Sequence, residues 1–226
     1  MKRVIFIYIG AIVGILCIGL LIGHFQNQKK QEVPDVIYKE VIVGYDDDGN
    51  AIKKDIPQDE VSVKIDGKEY TCNIAAYKNG KPKIEDVEFS YKPVIGDFLT
   101  NGFEKVESRE FKKGDSTIII QWVQDTGRLM ELDAFTESYN NITAEKRSIC
   151  KNFELPSGII LGKSTFDDVQ RVYGASVVYD FYNSKKTKYY LSDSIADGSM
   201  TLFFDTDNVL CGIVMTFDYL NLIETN

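Results

Sequence analysis

The feature that most constrains this chain is an uninterrupted apolar run close to its N-terminus. Val4–Gly23 contains 20 residues and no charged side chain. A helix rises about 1.5 Å per residue, so a helix of this length spans about 30 Å, the thickness of the hydrocarbon core of a bilayer. The run therefore predicts a transmembrane helix that holds the chain at the membrane through residues 4–23, with a soluble region after it.

Two other interpretations of the run, a cleaved signal peptide and a lipoprotein anchor, fit less well. The apolar core of a signal peptide is roughly 7–15 residues long and leads to a cleavage site of small residues, which the polar sequence after Gly23 lacks. Acylation of Cys17 would require small residues before it, where Ile15 and Leu16 stand. An uncleaved signal anchor is the preferred interpretation.

The charges beside the run predict the orientation of the chain. Lys2 and Arg3 precede the run and favour a cytoplasmic N-terminus, whereas Lys29 and Lys30 follow it and favour the opposite. A basic start next to a long apolar run is the usual form of a signal anchor. We therefore expect a single-pass protein of the cell membrane whose soluble domain is extracellular.

Acidic residues outnumber basic ones beyond the run. The chain contains 26 basic and 34 acidic residues, for a formal net charge of −8, and two of the basic residues precede the run. Nucleic acids and anionic lipid surfaces are bound by basic surfaces. No nucleic-acid partner is therefore expected.

Histidine and cysteine usage excludes several kinds of catalytic site. The single histidine, His24, directly follows the apolar run, so Ser-His-Asp and Cys-His catalysis and histidine zinc sites have no source. Cys72, Cys150 and Cys211 are too widely spaced for a metal motif or a disulfide framework, although pairing of Cys72 with Cys150 is left open. We predict no catalytic residue, no metal site and no cofactor.

A hairpin is predicted directly after a polar linker. Residues 36–45 are rich in β-branched and aromatic side chains and end at the turn sequence Asp46-Asp47-Asp48-Gly49-Asn50. Asp46 could instead begin a calcium loop, but that motif requires Gly and Glu where this chain has Ala51 and Pro57. The turn is the preferred interpretation.

After the first hairpin, the sequence predicts a second hairpin and then, twice in succession, a helix followed by an antiparallel meander. A second hairpin over residues 61–72 turns at Asp66-Gly67. A short helix over 94–100 then precedes strands expected at about 103–110, 116–124 and 128–136. A second helix precedes strands expected near 176–183, 186–193, 199–205 and 209–217.

The second helix has the clearer sequence signature. Ser164 can cap its first turn with Asp167 as the capping-box partner, and Asp168 suits the positive end of the helix. Asp167 and Asp168 are therefore interpreted as capping residues rather than as a catalytic pair, and Gly174 ends the helix. The residues predicted to point into the core are Phe166, Val169, Val172 and Ile213.

A resemblance to a known module covers about residues 155–217. It rests on the pattern Gly158-Ile159-x-Leu161-Gly162-Lys163-Ser164-x-x-Asp167-Asp168-Val169-x-x-x-Tyr173-Gly174 and on the closing Phe204-Asp205-x-x-x-Val209. This pattern resembles the small α/β module of BamE/SmpA-like lipoproteins, and β-lactamase inhibitory protein is similar as a tandem of such modules. The whole chain also resembles uncharacterised membrane-anchored proteins of low-GC Gram-positive bacteria, in which an Asp-Gly hairpin and a degenerate module precede a clear one. The resemblance implies non-enzymatic protein binding.

These features predict an α+β fold with an N-terminal transmembrane helix. Helix-plus-antiparallel-sheet modules follow it, and a tandem arrangement of them is left open. The predicted divisions are an anchor at 1–23, a linker and membrane-proximal hairpin at 24–60, a degenerate α+β module at 61–150 and a BamE/β-lactamase-inhibitor-like module at 151–226.

The function predicted from the sequence is that of a membrane-anchored, extracytoplasmic binding or interaction protein without enzymatic activity. The alternative is a cell-envelope glycan hydrolase, because 34 acidic residues can supply a pair of carboxylates without a sequence motif. The binding surface of the protein is expected on the sheet face opposite the helix or in a groove between two modules, unless both sheet faces are buried. The residues predicted to form this surface are Tyr179, Phe181, Tyr182, Tyr189 and Tyr190.

Overall fold

Antiparallel β-sheet makes up most of the structure, which is a computed structural model. It describes residues 37–46, 48–65, 68–144, 146–174, 177–181, 184–190 and 198–217. For residues 61–65, 68–70, 177–181 and 190 it describes the backbone. The described residues all belong to one compact unit.

One sheet of eight strands organises this unit. Its strands are β7 (Glu104–Lys105), β8 (Glu110–Lys113), β9 (Ser116–Trp122), β10 (Leu129–Phe135), β13 (Val177–Phe181), β14 (Ser184–Tyr190), β15 (Gly198–Phe204) and β16 (Leu210–Phe217). They lie in the order β13-β14-β15-β16-β10-β9-β8-β7, and every neighbouring pair is antiparallel.

Two four-stranded meanders join at the centre of this sheet. Strands β7–β10 form one meander and β13–β16 the other, and β10 pairs with β16 so that Leu132 lies opposite Met215 and Ala134 opposite Ile213. The two meanders therefore share one sheet, although a division was predicted between residues 150 and 151. The separate modules at 61–150 and 151–226 stay a prediction.

The other described strands form three small sheets. Two of these sheets are hairpins, β1 (Ile37–Tyr45) with β2 (Ala51–Gln58) and β3 (Glu60–Ile65) with β4 (Lys68–Asn73). The third sheet has the order β12-β11-β5-β6 and consists of β5 (Lys83–Ile84), β6 (Val87–Glu88), β11 (Phe153–Leu155) and β12 (Ile159–Ile160).

The helices that the structure describes are short. They are α1 (Ile74–Lys78), α2 (Ile95–Thr100), α3 (Glu137–Thr143) and α4 (Phe166–Tyr173), and a single 3-10 turn covers Pro156–Gly158. Isolated helices of fewer than about 12 residues are marginal in water, so tertiary packing has to stabilise each of them.

Helix α4 packs on one face of the large sheet, which we call the inner face. Phe166 meets Phe204 edge-on with ring centroids 5.2 Å apart, and Tyr173 meets Tyr189 at 5.5 Å. The predicted inward residues Val169, Val172 and Ile213 are fully buried, which confirms that part of the prediction, and Phe166 is partly buried. The strand residues of the inner face include Ile118, Ile120, Leu132, Ala134, Met200, Leu202, Phe204 and Met215.

The N-cap of α4 lies one residue later than predicted. Thr165, not Ser164, is the N-cap: its Oγ1 accepts from Asp168 N (3.2 Å), and Asp168 Oδ2 accepts from Thr165 N (2.8 Å). Ser164 Oγ instead accepts a hydrogen bond from Ile160 N (2.9 Å) in the preceding loop. The capping partner is therefore Asp168, which also pairs with Arg171.

Buried Asn73 connects the N-terminal hairpins to this helix. Its Oδ1 accepts hydrogen bonds from Asp59 N (3.1 Å) and Ala76 N (3.4 Å), which also caps α1. Its Nδ2 donates to Pro57 O (3.1 Å) and Val172 O (3.2 Å). One side chain thus joins β2, α1 and the end of α4.

The predicted α+β class is wrong. The described residues are mostly antiparallel sheet, divided among several sheets. Each described helix has only 5 to 8 residues. The positions of the helices over 94–100 and after residue 164 were predicted well, but their shortness leaves the sheets as the main scaffold.

The prediction of a transmembrane anchor is also corrected. Within the described ranges, no helix is long and apolar enough to cross a membrane. The longest of them, α4, has 8 residues and is about 12 Å long, whereas a bilayer core is about 30 Å thick. The predicted anchor over residues 4–23 lies outside the described residues. The transmembrane, single-pass, signal-anchor and cell-membrane predictions are contradicted by this finding.

Candidate functional site

The face of the large sheet opposite α4 carries a pocket of about 570 Å³. We call this face the outer face and the cavity the outer-face pocket. Strand residues supply one part of its lining, namely Ile119, Gln121, Glu131, Asp133 and Val214. A second part of the lining is a cluster of three aromatic residues and an arginine, namely Phe135, Tyr139, Phe203 and Arg147. The third part is residues 107–110, of which Glu110 begins β8.

Strand register explains why these side chains meet. Asp133 lies opposite Ile119 on β9 and opposite Val214 on β16, and directly paired residues of antiparallel strands share a face. Glu131 is two residues earlier on the same strand and lies on that face as well. Gln121 Nε2 donates a hydrogen bond of 2.7 Å to Glu131 Oε1, which holds this carboxylate beside the pocket.

Helix α3 covers the neighbouring part of the outer face and forms an aromatic wall. The chain turns back after β10, and the Tyr139 ring stacks on Phe135 at 4.2 Å and meets Phe203 edge-on at 5.3 Å. Gly212 on β16 lies beneath this stack, and a Cβ atom there would come within 2.8 Å of the Phe135 ring. The absence of a side chain at Gly212 therefore lets the wall pack on the sheet.

Asp133 is a buried carboxylate within the pocket lining. The residue is 6% exposed, and its Oδ1 atom has no hydrogen-bond partner among the described residues. Its Oδ2 atom is 3.9 Å from Arg147 Nη1, which is an ion pair but too long for a hydrogen bond. Burial, and after it the charge of Glu131, raises the pKa of Asp133 to about 7, and Arg147 opposes this shift.

Arg147 is positioned by helix α3 and by the aromatic wall. Asn140 Nδ2 donates to Arg147 O (2.7 Å), and Arg147 N donates to Asn140 Oδ1 (3.0 Å). The guanidinium carbon lies 5.2 Å from the centre of the Phe135 ring, a cation–π distance. The backbone contacts and the ring together place the guanidinium at the edge of the pocket.

Of the five aromatic residues predicted to form the binding surface, Tyr189 is the one whose side chain the structure describes. Tyr189 is fully buried on the inner face, and its hydroxyl is 3.3 Å from both Gly174 O and Gln170 Nε2. Tyr182 lies outside the described residues, as do the side chains of Tyr179, Phe181 and Tyr190. The backbone of Tyr179 is paired with Lys186. The aromatic surface as a whole stays a prediction.

The sequence analysis missed the outer-face pocket. The available signal was Asp133 itself, a carboxylate between Leu132 and Ala134 within the strand sequence Leu129–Phe135. A charged residue in the middle of an apolar strand is uncommon unless it is paired or functional. The aromatic wall had no comparable signal, because it joins Phe135 and Tyr139 to Phe203, which is distant from them in the sequence.

Two other polar candidates are explained by local structure. Asp46 Oδ1 accepts from Asp48 N (3.0 Å) and Asn50 N (2.7 Å), so its carboxylate closes the turn as the hairpin interpretation predicted. The side chain of Asn50 is the main reason that the pKa of Asp46 is lowered. Among the residues that the structure describes, no group of three or more His, Cys, Asp or Glu side chains is placed to hold a metal ion.

Comparison with protein-family models, with curated proteins and with solved structures gives no match for this chain. The resemblance to BamE/SmpA-like and β-lactamase-inhibitory-protein-like modules is therefore untested. The function of the outer-face pocket has to be argued from its own geometry.

Proposed function

We propose that this chain is a non-enzymatic protein-binding module whose recognition surface is the outer face of the eight-stranded sheet around the outer-face pocket. One observation carries the proposal. The inner face of the central strands is filled by α4 and the hydrophobic core. On the outer face, α3 covers only part of the area, and the outer-face pocket lies beside it.

The chemistry of this surface supports protein binding. Protein interfaces combine aromatic and arginine side chains in a central patch with polar groups around it. The pocket has Tyr139 and Phe203 on one side, Arg147 beside them, and exposed polar residues at 107–109 on another side. The sheet beneath is ordered by backbone pairing between neighbouring strands, so binding on it requires little further ordering of the backbone and loses little conformational entropy.

Site-specific photo-crosslinking in the producing cells tests the proposal. A photoreactive phenylalanine analogue replaces Gln121, which lines the pocket, and in a control variant replaces Leu99, which is 48% exposed on α2. We expect a discrete protein adduct from position 121 and not from position 99. Equal labelling from both positions, or no adduct from position 121, would overturn the proposed function.

A second candidate function, glycan hydrolysis by a carboxylate pair, is favoured by one specific observation. Asp133 has a pKa of about 7 and lies two residues from Glu131 on the same face of β10. The Cα atoms of such positions are about 6.6 Å apart along a strand, a spacing that allows the separation of about 6.5–9.5 Å found between the carboxyl groups of inverting glycosidases.

Activity assays separate the two candidates. Peptidoglycan and chromogenic glycosides would be incubated with the purified chain, with Asp133→Asn and with Glu131→Gln. Hydrolysis that is lost in both variants would replace the binding proposal. Absence of turnover in all three proteins is the result expected for a binding module.

A further inference from the structure

We infer that the outer-face pocket receives a basic side chain, a lysine or an arginine, of the protein partner, with the Asp133 carboxylate as its counter-ion. The inference rests on the proposed function and adds the chemical class of the group that is bound.

The carboxylate of Asp133 has an oxygen whose hydrogen-bonding capacity is unused within the described residues. Buried carboxylate oxygens almost always accept hydrogen bonds. Asp133 Oδ1 accepts none from the described part of the chain, and Oδ2 is 3.9 Å from the nearest guanidinium nitrogen of Arg147. Asp133 lines the pocket although its Oδ1 atom is itself buried, so a donor that inserts against this carboxylate would supply the missing bond, and ammonium and guanidinium groups bring several N–H donors each.

The charges around the pocket also favour a basic group. The acidic residues that line the pocket are Glu107, Glu110, Glu131 and Asp133, and the basic ones are Arg109 and Arg147. Glu131 lies on the same strand as Asp133, and Arg147 lies in the segment after α3. Glu107 and Arg109 precede β8, and Glu110 is its first residue. The carboxylates exceed the guanidinium groups by two, so the pocket favours a cation over an anion.

The shape and the lining of the pocket also fit a long basic side chain. Ile119 and Val214 flank Asp133 on the neighbouring strands and offer apolar contact to the aliphatic stem of a lysine or an arginine. Tyr139 and Phe203 are mostly buried, and the parts of them that line the pocket are aromatic, to which cations are attracted. The volume of the pocket, about 570 Å³, is large enough for one such side chain.

The test uses single amino-acid probes and methyl NMR on the whole chain. Nα-acetyl-lysine amide and Nα-acetyl-arginine amide are titrated while the methyl signals of Ile119 and Val214 are followed. Nα-acetyl-norleucine amide is the control probe, because it keeps the apolar stem and lacks the charge. We expect saturable shifts with at least one basic probe and affinity weaker by about tenfold or more for norleucine.

A charge-removing variant tests the role of Asp133. In Asp133→Asn, binding of the basic probe should weaken about tenfold or more. In the control Asp115→Asn, which alters an exposed carboxylate paired with Lys151, binding should stay unchanged. If Asp133→Asn does not fold, wild-type protein at about pH 5, where Asp133 is protonated, replaces it, and binding should again be weaker than at about pH 8.

The outcomes distinguish this inference from the proposed function. Equal binding of norleucine, retention of full affinity without the Asp133 charge, or the absence of shifts at Ile119 and Val214 would overturn the inference. If position 121 still crosslinks a protein in that case, the binding function stands. Probe binding without any crosslinked protein would overturn the proposed function instead.

Discussion

Asp133 lowers the stability of the folded chain whenever it is ionised. Its pKa is about 7 in the fold, whereas an unfolded aspartate has a pKa of about 3.9. Between these two pH values the native state therefore keeps a proton that the unfolded state has released. The contribution of protonated Asp133 to the free energy of unfolding is fully present below about pH 4 and is lost as the pH rises through about 7.

This pH dependence predicts that removal of the Asp133 charge stabilises the fold at alkaline pH. At about pH 8, Asp133→Asn should unfold with a free energy on the order of 2–4 kcal/mol higher than the wild type, because each pH unit between the two pKa values is worth about 1.4 kcal/mol. At about pH 4 the two proteins should be nearly equal. Urea unfolding at both pH values measures the difference, and Asp115→Asn serves as the exposed control. A gap of the same size at both pH values would contradict a destabilisation that arises from ionisation of Asp133.

The cysteines lead to a second prediction at the residue scale. Cys72, Cys150 and Cys211 are buried thiols, and no disulfide joins them, so the pairing of Cys72 with Cys150 left open by the sequence is absent from the described structure. Burial raises the pKa of Cys72 and Cys150 to about 11 and that of Cys211 to about 12. Thiolate is the reactive form, so these residues should be inert in the folded protein.

Labelling with a thiol reagent at about pH 8 checks this expectation. In a Cys17→Ser variant, which removes the cysteine outside the described residues, mass spectrometry should find no label on the folded protein. In urea, all three remaining cysteines should react. Rapid labelling of any one of them in the native protein would show that this thiol is accessible rather than buried.

At the scale of elements, the contact between α3 and β16 determines the wall of the pocket. Gly212 leaves room for the stacked rings, and a methyl group there would lie 2.8 Å from Phe135 and 3.1 Å from Tyr139. We expect Gly212→Ala to destabilise the fold by about 1–3 kcal/mol, because overpacking forces rings or backbone to shift. The Phe135 and Tyr139 ring signals should move in NMR spectra.

Gly96→Ala is the matched control for this substitution. Gly96 lies within α2, and its added Cβ would meet only Val94 Cγ2, at 3.9 Å. Alanine is a better helix former than glycine by about 1 kcal/mol, so this variant should be as stable as the wild type or more stable. Equal destabilisation of both variants would show that the close contact under the wall is not the cause.

At the scale of the whole molecule, the β10–β16 pairing makes two meanders depend on each other. Met215 is fully buried opposite Leu132 across this seam, and the only tryptophan, Trp122, lies in β9 of the other meander. Met215→Ala should cost about 2–5 kcal/mol through cavity formation. The Trp122 fluorescence midpoint and the circular-dichroism midpoint should fall together.

This experiment also tests the predicted division between residues 150 and 151. If 61–150 and 151–226 unfold independently, Met215→Ala should leave the Trp122 transition where it is in the wild type. Coincident transitions with both probes indicate one cooperative unit.

Much of the local structure could be predicted from the sequence because local rules govern it. Alternating side chains and turn residues located β9, β10, β15 and β16 to within a few residues, and the spacing of Val169 and Val172 identified the buried face of α4. The N-cap was off by one residue, because Ser164 and Thr165 both suit a cap and only contact with Ile160 decides between them.

Where most strands of the large sheet begin and end, and which face of α4 is apolar, could be predicted from the chain alone, because both depend on residues that are close together in the sequence. The pairing of β10 with β16, the position of α3 over one face of the sheet and the burial of Asp133 beside Arg147 became known from the three-dimensional structure. The burial of a side chain and the pKa of a carboxylate depend on neighbours from distant parts of the chain. No local pattern encodes which distant strands become those neighbours.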